Sequence, residues 1–574
     1  MTLPPTIVVW GAGRIGRGFV ADLFAGAGYH VVFVDRAEAL VAALRRRGRY
    51  TVVRTDGRER HDQVIDGFEV WSTAQTAPVA AAVVAADQLA VAVFPQDFPV
   101  VARQLAPGLA RRHEERPGAP LDIILCTNLA HAGPAFRQPL LAALPPAARA
   151  WAEGNVGVVE TLVIRMVADP PPEALARDPL LVWTNGYATF PVDRGAFRGA
   201  IPPLPTLSLV DDMRAAETRK LFTYNTFHAA LAYLAALHGH LRVVDGLADP
   251  WVRAGAEGAL REAAAAVQAA YAFPPADMAS WIDGVIAQTD NPALGDTVAR
   301  FAADPRRKLR CADRLFGPLL LAHEHGLETP HLIRAIAAAL RYDHPDDLTA
   351  AEVRQQVETL GPAGAVRALC DGAEPAVVQG IVRAYHRLPL EARWAGCAAQ
   401  ADRLGFEYER TYKGCGQCVL AAIQDATGLF NPSAFYGVFR AATGLAGGIG
   451  LCGDGTCSAL TGGALALGLY SPRRRDHFDG DRDAKYRAYA LIQRLRERFL
   501  AAYGGIRCAE IHRHHFGRAY DLRDPAQREA FEAAGAHEDK CTGVVARAAR
   551  WVVEIVGEEE IEKQASSIGS SQNI

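Results

Sequence analysis

Lys220, Asn225 and His228 fall within nine residues and offer an amine, an amide and an imidazole. On a helix, Asn225 and His228 are three apart and share a face, while Lys220 lies about a turn and a half before Asn225, on a neighbouring sector. Dehydrogenation of an alcohol needs a base for the hydroxyl proton and donors for the developing alkoxide, and these side chains suit those jobs. A single lysine on a helix is most often solvated, and a single histidine most often structural. The case therefore rests on their joint spacing and on what lies upstream.

Upstream is a glycine loop in an ordered context. The apolar run 7–10 leads into Gly11-Ala12-Gly13-Arg14-Ile15-Gly16; residues 19–27 read as helix and 31–34 as a second apolar run. In such a strand–loop–helix–strand unit Gly11 permits the tight turn, Gly13 lets the backbone approach a pyrophosphate, and Gly16 allows helix to pack on strand. The helix start offers unpaired N–H groups to phosphates. Asp35, about 20 residues on, suits the ribose hydroxyls and repels a 2′-phosphate, which favours NAD over NADP. The adjacent Arg36 is the residue that could accommodate such a phosphate. Gly11, Ala12, Gly13, Arg14, Ile15, Gly16 and Asp35 form the expected cofactor-binding set.

A second kind of chemistry is confined to the last third. Of ten cysteines, Cys415, Cys418, Cys452, Cys457, Cys508 and Cys541 lie in the final 160 residues, whereas Cys126, Cys311, Cys370 and Cys397 are scattered and read as buried or incidental thiols. Cys415, Cys457, Cys508 and Cys541 precede or open helical stretches, where the partial positive charge of a helix start favours thiolate over thiol. Cys415-Gly-Gln-Cys418 and the pair Cys452 and Cys457 have spacings compatible with a four-thiolate zinc site, and CxxC is equally the spacing of a redox dithiol. Both readings stay open, as does an iron–sulfur centre. His512, His514, His515 and His537 are further ligand candidates, though solvated helix histidines are commoner.

The elements that must carry these groups form three blocks. Residues 1–200 alternate short apolar runs, such as 89–94 and 122–126, with Ala-rich helical stretches, as a Rossmann-type parallel sheet with crossover helices should. Residues 201–390 show helical spacing over 215–237, 251–272, 310–325 and 330–342. Residues 397–405 read as a bridge to a cysteine-rich, mainly helical block at 405–560, and 561–574 read as a disordered tail. The fold class is thus α/β plus α. At 574 residues each block is long enough for its own core. A formal charge of −3 without a basic block gives no reason to expect nucleic acid or a membrane as partner, and no leader or long apolar stretch is evident, so a cytoplasmic location is expected.

Lys220, Asn225 and His228 match the K-x4-N-x2-H signature of the polyol-specific long-chain dehydrogenases. The glycine loop through Phe19, Asn291-Pro292, Asp296-Thr-Val-Ala-Arg300 and Asp304-Pro305-Arg-Arg-Lys308-Leu309 resemble the mannitol-1-phosphate 5-dehydrogenase branch, over residues 5–387. The resemblance implies NAD as cofactor and a polyol or sugar phosphate as substrate, such as mannitol 1-phosphate. It implies Lys220 as general base, Asn225 as an oxyanion amide, His228 as substrate-orienting, and Asn155 as the second oxyanion amide. This chain departs from the family in having Phe227 where glycine is frequent, which implies a smaller or differently shaped pocket, and Cys126-Thr-Asn128 in place of an acid–asparagine pair. Residues 410–556 resemble the C_GCAxxG_C_C family of redox-active proteins through Gly414-Cys415-Gly-Gln-Cys418, Gly453-Asp-Gly-Thr-Cys457, Cys508 and Gly535-Ala-His-Glu-Asp-Lys-Cys541. In that likeness the family cysteines are Cys415, Cys457, Cys508 and Cys541. Two other functional readings are an NAD-responsive sensor without turnover and a protein whose main activity sits in the thiol block.

Overall fold

The computed structural model describes residues 4–478, 480 and 482–571. Its chain divides into two compact units, Met1–Val382 and Arg383–Ile574.

The first unit begins with eight strands: β1 (Thr6–Trp10), β2 (His30–Asp35), β3 (Arg49–Thr55), β4 (Arg60–Asp66), β5 (Glu69–Ser72), β6 (Gln88–Val91), β7 (Leu121–Leu125) and β8 (Val156–Glu160). Six make one parallel sheet in the order β5-β2-β1-β6-β7-β8. With the antiparallel hairpin β3–β4 set aside, this is the doubly wound order 3-2-1-4-5-6, whose strand order reverses between β1 and β6. Ile7, Val8 and Val9 are all fully buried. Helices cover both faces of the sheet, so its strands read as unbroken apolar runs. The hairpin escapes that reading because its β4 is largely exposed and polar.

After β8 come four short strands, Val167–Ala168, Val182–Thr184, Phe190–Asp193 and Leu207–Val210, the second of them pairing with β3, and from Met213 the unit is mainly helical. Its centre is the helix Asn225–Leu237, whose Phe227, Leu231, Tyr233 and Leu234 have no exposure. Helices Pro250–Ala270 and Pro330–Arg341 pack around it. Cys311 and Cys370, expected as incidental thiols, form a disulfide with a Cα–Cα separation of 4.8 Å. Fifty-nine residues separate them in sequence, so local spacing gave no sign of the pairing.

The second unit is helical throughout its described residues. Helices Cys415–Thr427, Ser458–Tyr470, Arg482–Tyr503 and Cys541–Ser571 pack around Val419, Leu420, Leu467, Leu495, Phe499 and Val552. Two local expectations change here. Residues 397–405 are not a bridge but part of one helix, Pro375–Tyr412, because Trp394, Ala398 and Ala401 are buried in this core. The stretch expected to be a disordered tail is helical as far as Ser571, while 572–574 lie outside the described residues. Tyr470 anchors its start, donating to Glu560 at 2.6 Å and accepting from Lys563 at 2.8 Å.

Arg112 shows how the sheet domain settles its loose carbonyls. Its buried guanidinium donates to the carbonyls of Val83, Val84, Ala86, Ala119 and Pro120 at 2.8–3.2 Å. Arg112→Met leaves four of these acceptors without this donor, Val84 O keeping Arg116 at 3.0 Å, and unpaired buried acceptors cost about 1–3 kcal/mol each. Chemical denaturation should show a loss of about 3 kcal/mol or more, against less than about 0.5 kcal/mol for Arg111→Met, which breaks only an exposed ion pair with Glu115.

Candidate functional site

The dinucleotide loop leaves β1 at the switch point. Gly11 has φ +99°, and its N–H donates to Val34 O at 2.8 Å. A Cβ on Gly16 would stand 1.9 Å from Gly11 O, so no larger residue fits, whereas a Cβ on Gly13 would meet nothing within 4 Å. That open side is the cradle a pyrophosphate requires, and the loop thus fits a dinucleotide. Asp35 Oδ2 accepts Ala12 N–H at 2.6 Å and Oδ1 accepts Ala37 N–H at 2.8 Å. One carboxylate therefore pins the loop and the start of the next helix while keeping further lone pairs for ribose hydroxyls. Ile15 precedes a π-helical turn, Gly16–Val20. Arg14 pairs with Asp169 at the surface. Beside the loop is a cavity of about 320 Å³ lined by Gly11, Gly13, Asp35, Arg36, Phe94 and Asp97 among others. Phe94 is 69% exposed on this wall, and Arg36 is tied to Asp97 at 3.1 Å.

A second cavity, of about 270 Å³, sits past the C-terminal ends of β7 and β8. Thr127 and Asn128 reach it from β7, Thr161 from β8, and Glu217, Lys220, Asn225, Arg307, Asp313 and Arg314 from the helical part. Lys220 and Asn225 share its wall for a reason that spacing alone conceals. In α-helical geometry, five residues set side chains about 140° apart. Here Lys220–Tyr224 is a π-helical turn, with Asn225 N–H bonded to Lys220 O, and that wider turn brings the two onto one side.

Lys220 is 7% exposed and donates from Nζ to Asn128 Oδ1 at 3.0 Å. Burial, reinforced by the charge of Arg314, pushes its amine down to about 8, with Glu217 working in the opposite direction. Glu217 lies well above the usual carboxylate range because it is buried and faces Glu160. Its Oε2 also accepts His131 N–H at 3.3 Å.

His228 does not line this cavity. Its ring stacks on Phe301 at 4.3 Å, and Nε2 meets Thr289 Oγ1 at 3.1 Å. Burial, with Arg314, Arg300, Lys308 and Lys220 around it, pushes its imidazole down to about 3, so it stays neutral. Phe227 does not narrow the pocket, since it is wholly buried and absent from the cavity wall. Asn155 is not brought to the site at all. It ends the helix Pro146–Asn155, donates to Trp151 O at 2.9 Å, and precedes β8 at the sheet edge opposite the cavity. The amide beside Lys220 is Asn128; its signal was its place just past the C-terminal end of β7, the edge where such sheets hold ligands. Glu217, Arg307 and Arg314 were also missed in the sequence and carried no comparable local signal.

In the second unit, Cys415, Cys457, Cys508 and Cys541 line one cavity of about 200 Å³, together with Glu409, His512 and His537. Cys418 is buried in the core behind it and Cys452 is exposed elsewhere, so the two close pairs do not assemble into a four-thiolate set. His514 and His515 pack on Tyr503 instead. The thiols do start helices, but the expected fall in pKa is reversed. Burial pushes Cys457 up to about 11 and Cys508 up to about 12, even though the N–H groups of Ala459 and Leu460 oppose the shift at Cys457. Burial and the buried Glu409 carboxylate raise Cys415 further, and its Sγ lies 3.1 Å from Glu409 Oε1. His537 is raised: burial opposes this, but Glu409 and Glu532 outweigh it.

The family models for the mannitol dehydrogenase Rossmann domain and the mannitol dehydrogenase C-terminal domain match residues 5–206 and 212–388. The chain belongs to the mannitol dehydrogenase family. A further model, described as "Putative redox-active protein (C_GCAxxG_C_C)", matches residues 414–555. Among solved structures, the mannitol dehydrogenase part is similar to a substrate-free D-sorbitol dehydrogenase, with TM-score 0.57 and 18% identity, covering 68% of this chain and 94% of that one. It is also similar to mannitol 2-dehydrogenase of Pseudomonas fluorescens, with TM-score 0.54 and 18% identity, covering 67% and 92%. At that identity the likeness is one of fold.

The lysine environment can be tested directly. NMR titration of Lys220 in the full chain should give a midpoint near 8, against about 10.4 for a free lysine. Arg314→Met should move it upward, because a positive charge that disfavours the ammonium is removed. A midpoint at the free value would show that the amine is not desolvated.

Proposed function

We propose that the first unit is an NAD-dependent polyol dehydrogenase, acting on a hexitol phosphate such as mannitol 1-phosphate, with Lys220 as general base. The observation that carries this reading is the buried amine of Lys220, lowered to about 8, on the wall of a cavity at the C-terminal edge of a dinucleotide-binding sheet. A sensor without turnover has no use for such an amine. Bound NAD supplies the hydride acceptor. The neutral amine takes the substrate hydroxyl proton, while Asn128 accepts a hydrogen bond from Nζ and fixes its direction. Asn225, on the same wall, offers its amide to the developing alkoxide. Glu217, buried and facing Glu160, is placed to receive the proton from Lys220 on its way out. His228, neutral and stacked on Phe301, holds the helix that bears Asn225.

The phosphate preference is supported by charge. Arg307 and Arg314 both line the cavity, and Asp313 lies between them at 3.5 and 2.8 Å. Glu217, pushed up to about 7 by burial and by Glu160, balances them only in part at neutral pH. A phosphate monoester suits two guanidinium groups better than a neutral polyol does.

Lys220→Ala should lower turnover by about 10²–10⁴ and leave NAD affinity, read by calorimetry, nearly unchanged. The assay is NADH formation across a panel of polyols and their phosphates. Unchanged turnover would remove Lys220 from the mechanism, and no activity on any phosphorylated substrate would remove the phosphate preference. Asp35→Ala should weaken NAD binding and relax the discrimination against NADP, as judged by kcat/KM for each cofactor.

A further inference from the structure

The thiol cavity of the second unit is the largest concentration of chemistry that the dehydrogenase reading leaves unused. Cys415, Cys508 and Cys541 are the first residues of the helices Cys415–Thr427, Cys508–Phe516 and Cys541–Ser571, and Cys457 is the N-cap of Ser458–Tyr470. Three helix starts and the first α-helical residue after the π turn Ala536–Lys540 meet around one space, each contributing one sulfur. The rest of the wall is mostly apolar, with Leu451, Ile511, Leu522, Phe531 and Val544, but Glu409, Lys413, Arg528 and His537 also reach it.

The spacing excludes a preformed site for one ion. Four thiolates on a tetrahedral zinc at about 2.3 Å stand about 3.8 Å from one another. Among the described residues, one set of three or more His, Cys, Asp or Glu donors lies mutually within 4.8 Å, and it is His238, His240 and Asp249 in the first unit. Those donors already satisfy each other, since Asp249 Oδ2 takes both imidazoles at 2.8 and 3.0 Å. In the thiol cavity no three donors come that close. Nor are the thiols paired as disulfides, since all four are free.

An occupant suited to donors this far apart is wider than one ion, soft, and able to present a separate corner to each sulfur. We propose that Cys415, Cys457, Cys508 and Cys541 hold a polynuclear iron–sulfur centre, with Cys418 and Cys452 outside the ligand set. Four cysteine thiolates are the usual protein ligands of such centres. Transfer of a preformed iron–sulfide core from a carrier of small thiolates breaks four Fe–S bonds to the carrier and forms four to the cysteines, while the four cysteine protons pass to the departing thiolates, with no change in oxidation state. The thiolates bring negative charge into a largely apolar space, and at Cys415, Cys457 and Cys508 a helix start sets partial positive charge against it. The backbone N–H groups of Ala459 and Leu460 point at Cys457 Sγ, and hydrogen bonds to ligand sulfur tune the potential of a cluster.

The test uses the full chain, purified anaerobically and, if it is metal-free, incubated with ferric and ferrous iron, sulfide and a small thiol. The expected result is iron and acid-labile sulfide in equal amounts, at about two to four of each per chain. Cys457→Ser and Cys541→Ser should lose most of the iron, while Cys452→Ser keeps it. Far-UV circular dichroism reports whether each variant is folded, and the wild-type stoichiometry decides should a variant not fold. Zinc alone, iron without sulfide, or a reconstituted chain that holds no iron overturns the proposal. So does a folded Cys457→Ser variant with full iron content. None of these outcomes depends on the dehydrogenase activity of the first unit.

Discussion

An amine sealed from water is the constraint around which the first unit is arranged. Lys220 loses the hydration that would keep it charged, and the surrounding groups decide how far it moves toward the neutral form. Arg314 pushes in the same direction as burial and Glu217 against it. The parallel sheet brings Asn128 within 3.0 Å of the amine from the end of β7. The helical part supplies Lys220 itself and both arginines. Neither half of the unit makes the site alone, because the amine comes from one and its hydrogen-bond partner from the other.

Burial also governs the second unit, with the opposite chemical result. The same loss of hydration that disfavours an ammonium disfavours a thiolate. Cysteines at helix starts are reactive where solvent and nearby cations support the anion, and here Glu409, itself fully buried, adds repulsion instead. Left empty, the cavity keeps protonated thiols. Sequence position therefore picked out the four cysteines that share one cavity but gave the wrong sign for their acidity, since the sign depends on depth.

Much of this was legible in the chain. The glycine loop, Asp35, the strands at 7–10 and 31–34 and the helical middle block all follow from local periodicity and turn chemistry, and the structure places them accordingly. The hairpin β3–β4 was missed because its outer strand lacks an apolar face. Asn155 was taken for the oxyanion amide by resemblance, whereas the strand register puts it at the far edge of the sheet. The disulfide between Cys311 and Cys370 spans 59 positions, and although Arg307 and Arg314 are near in sequence, their meeting with Asn128 and Lys220 around one cavity is long-range. Residues 397–405 looked like a boundary because packing, not propensity, makes them helical.

The described residues contain three π-helical turns, Gly16–Val20, Lys220–Tyr224 and Ala536–Lys540. The first begins at Gly16 of the dinucleotide loop, the second begins on Lys220, and the third contains His537 and ends just before Cys541. A π turn is an α-helix carrying one extra residue, and removing that residue restores ordinary geometry at little local cost. At Lys220 the deletion would rotate everything upstream by about 100° relative to the helix Asn225–Leu237. That helix is locked in place by its buried face, so the slack would be taken up by the lysine end. Gene-level change is thus asymmetric along this segment: many substitutions leave the backbone path intact, but a single-codon deletion would uncouple the amine from Asn225 while leaving the core of the unit largely as it was.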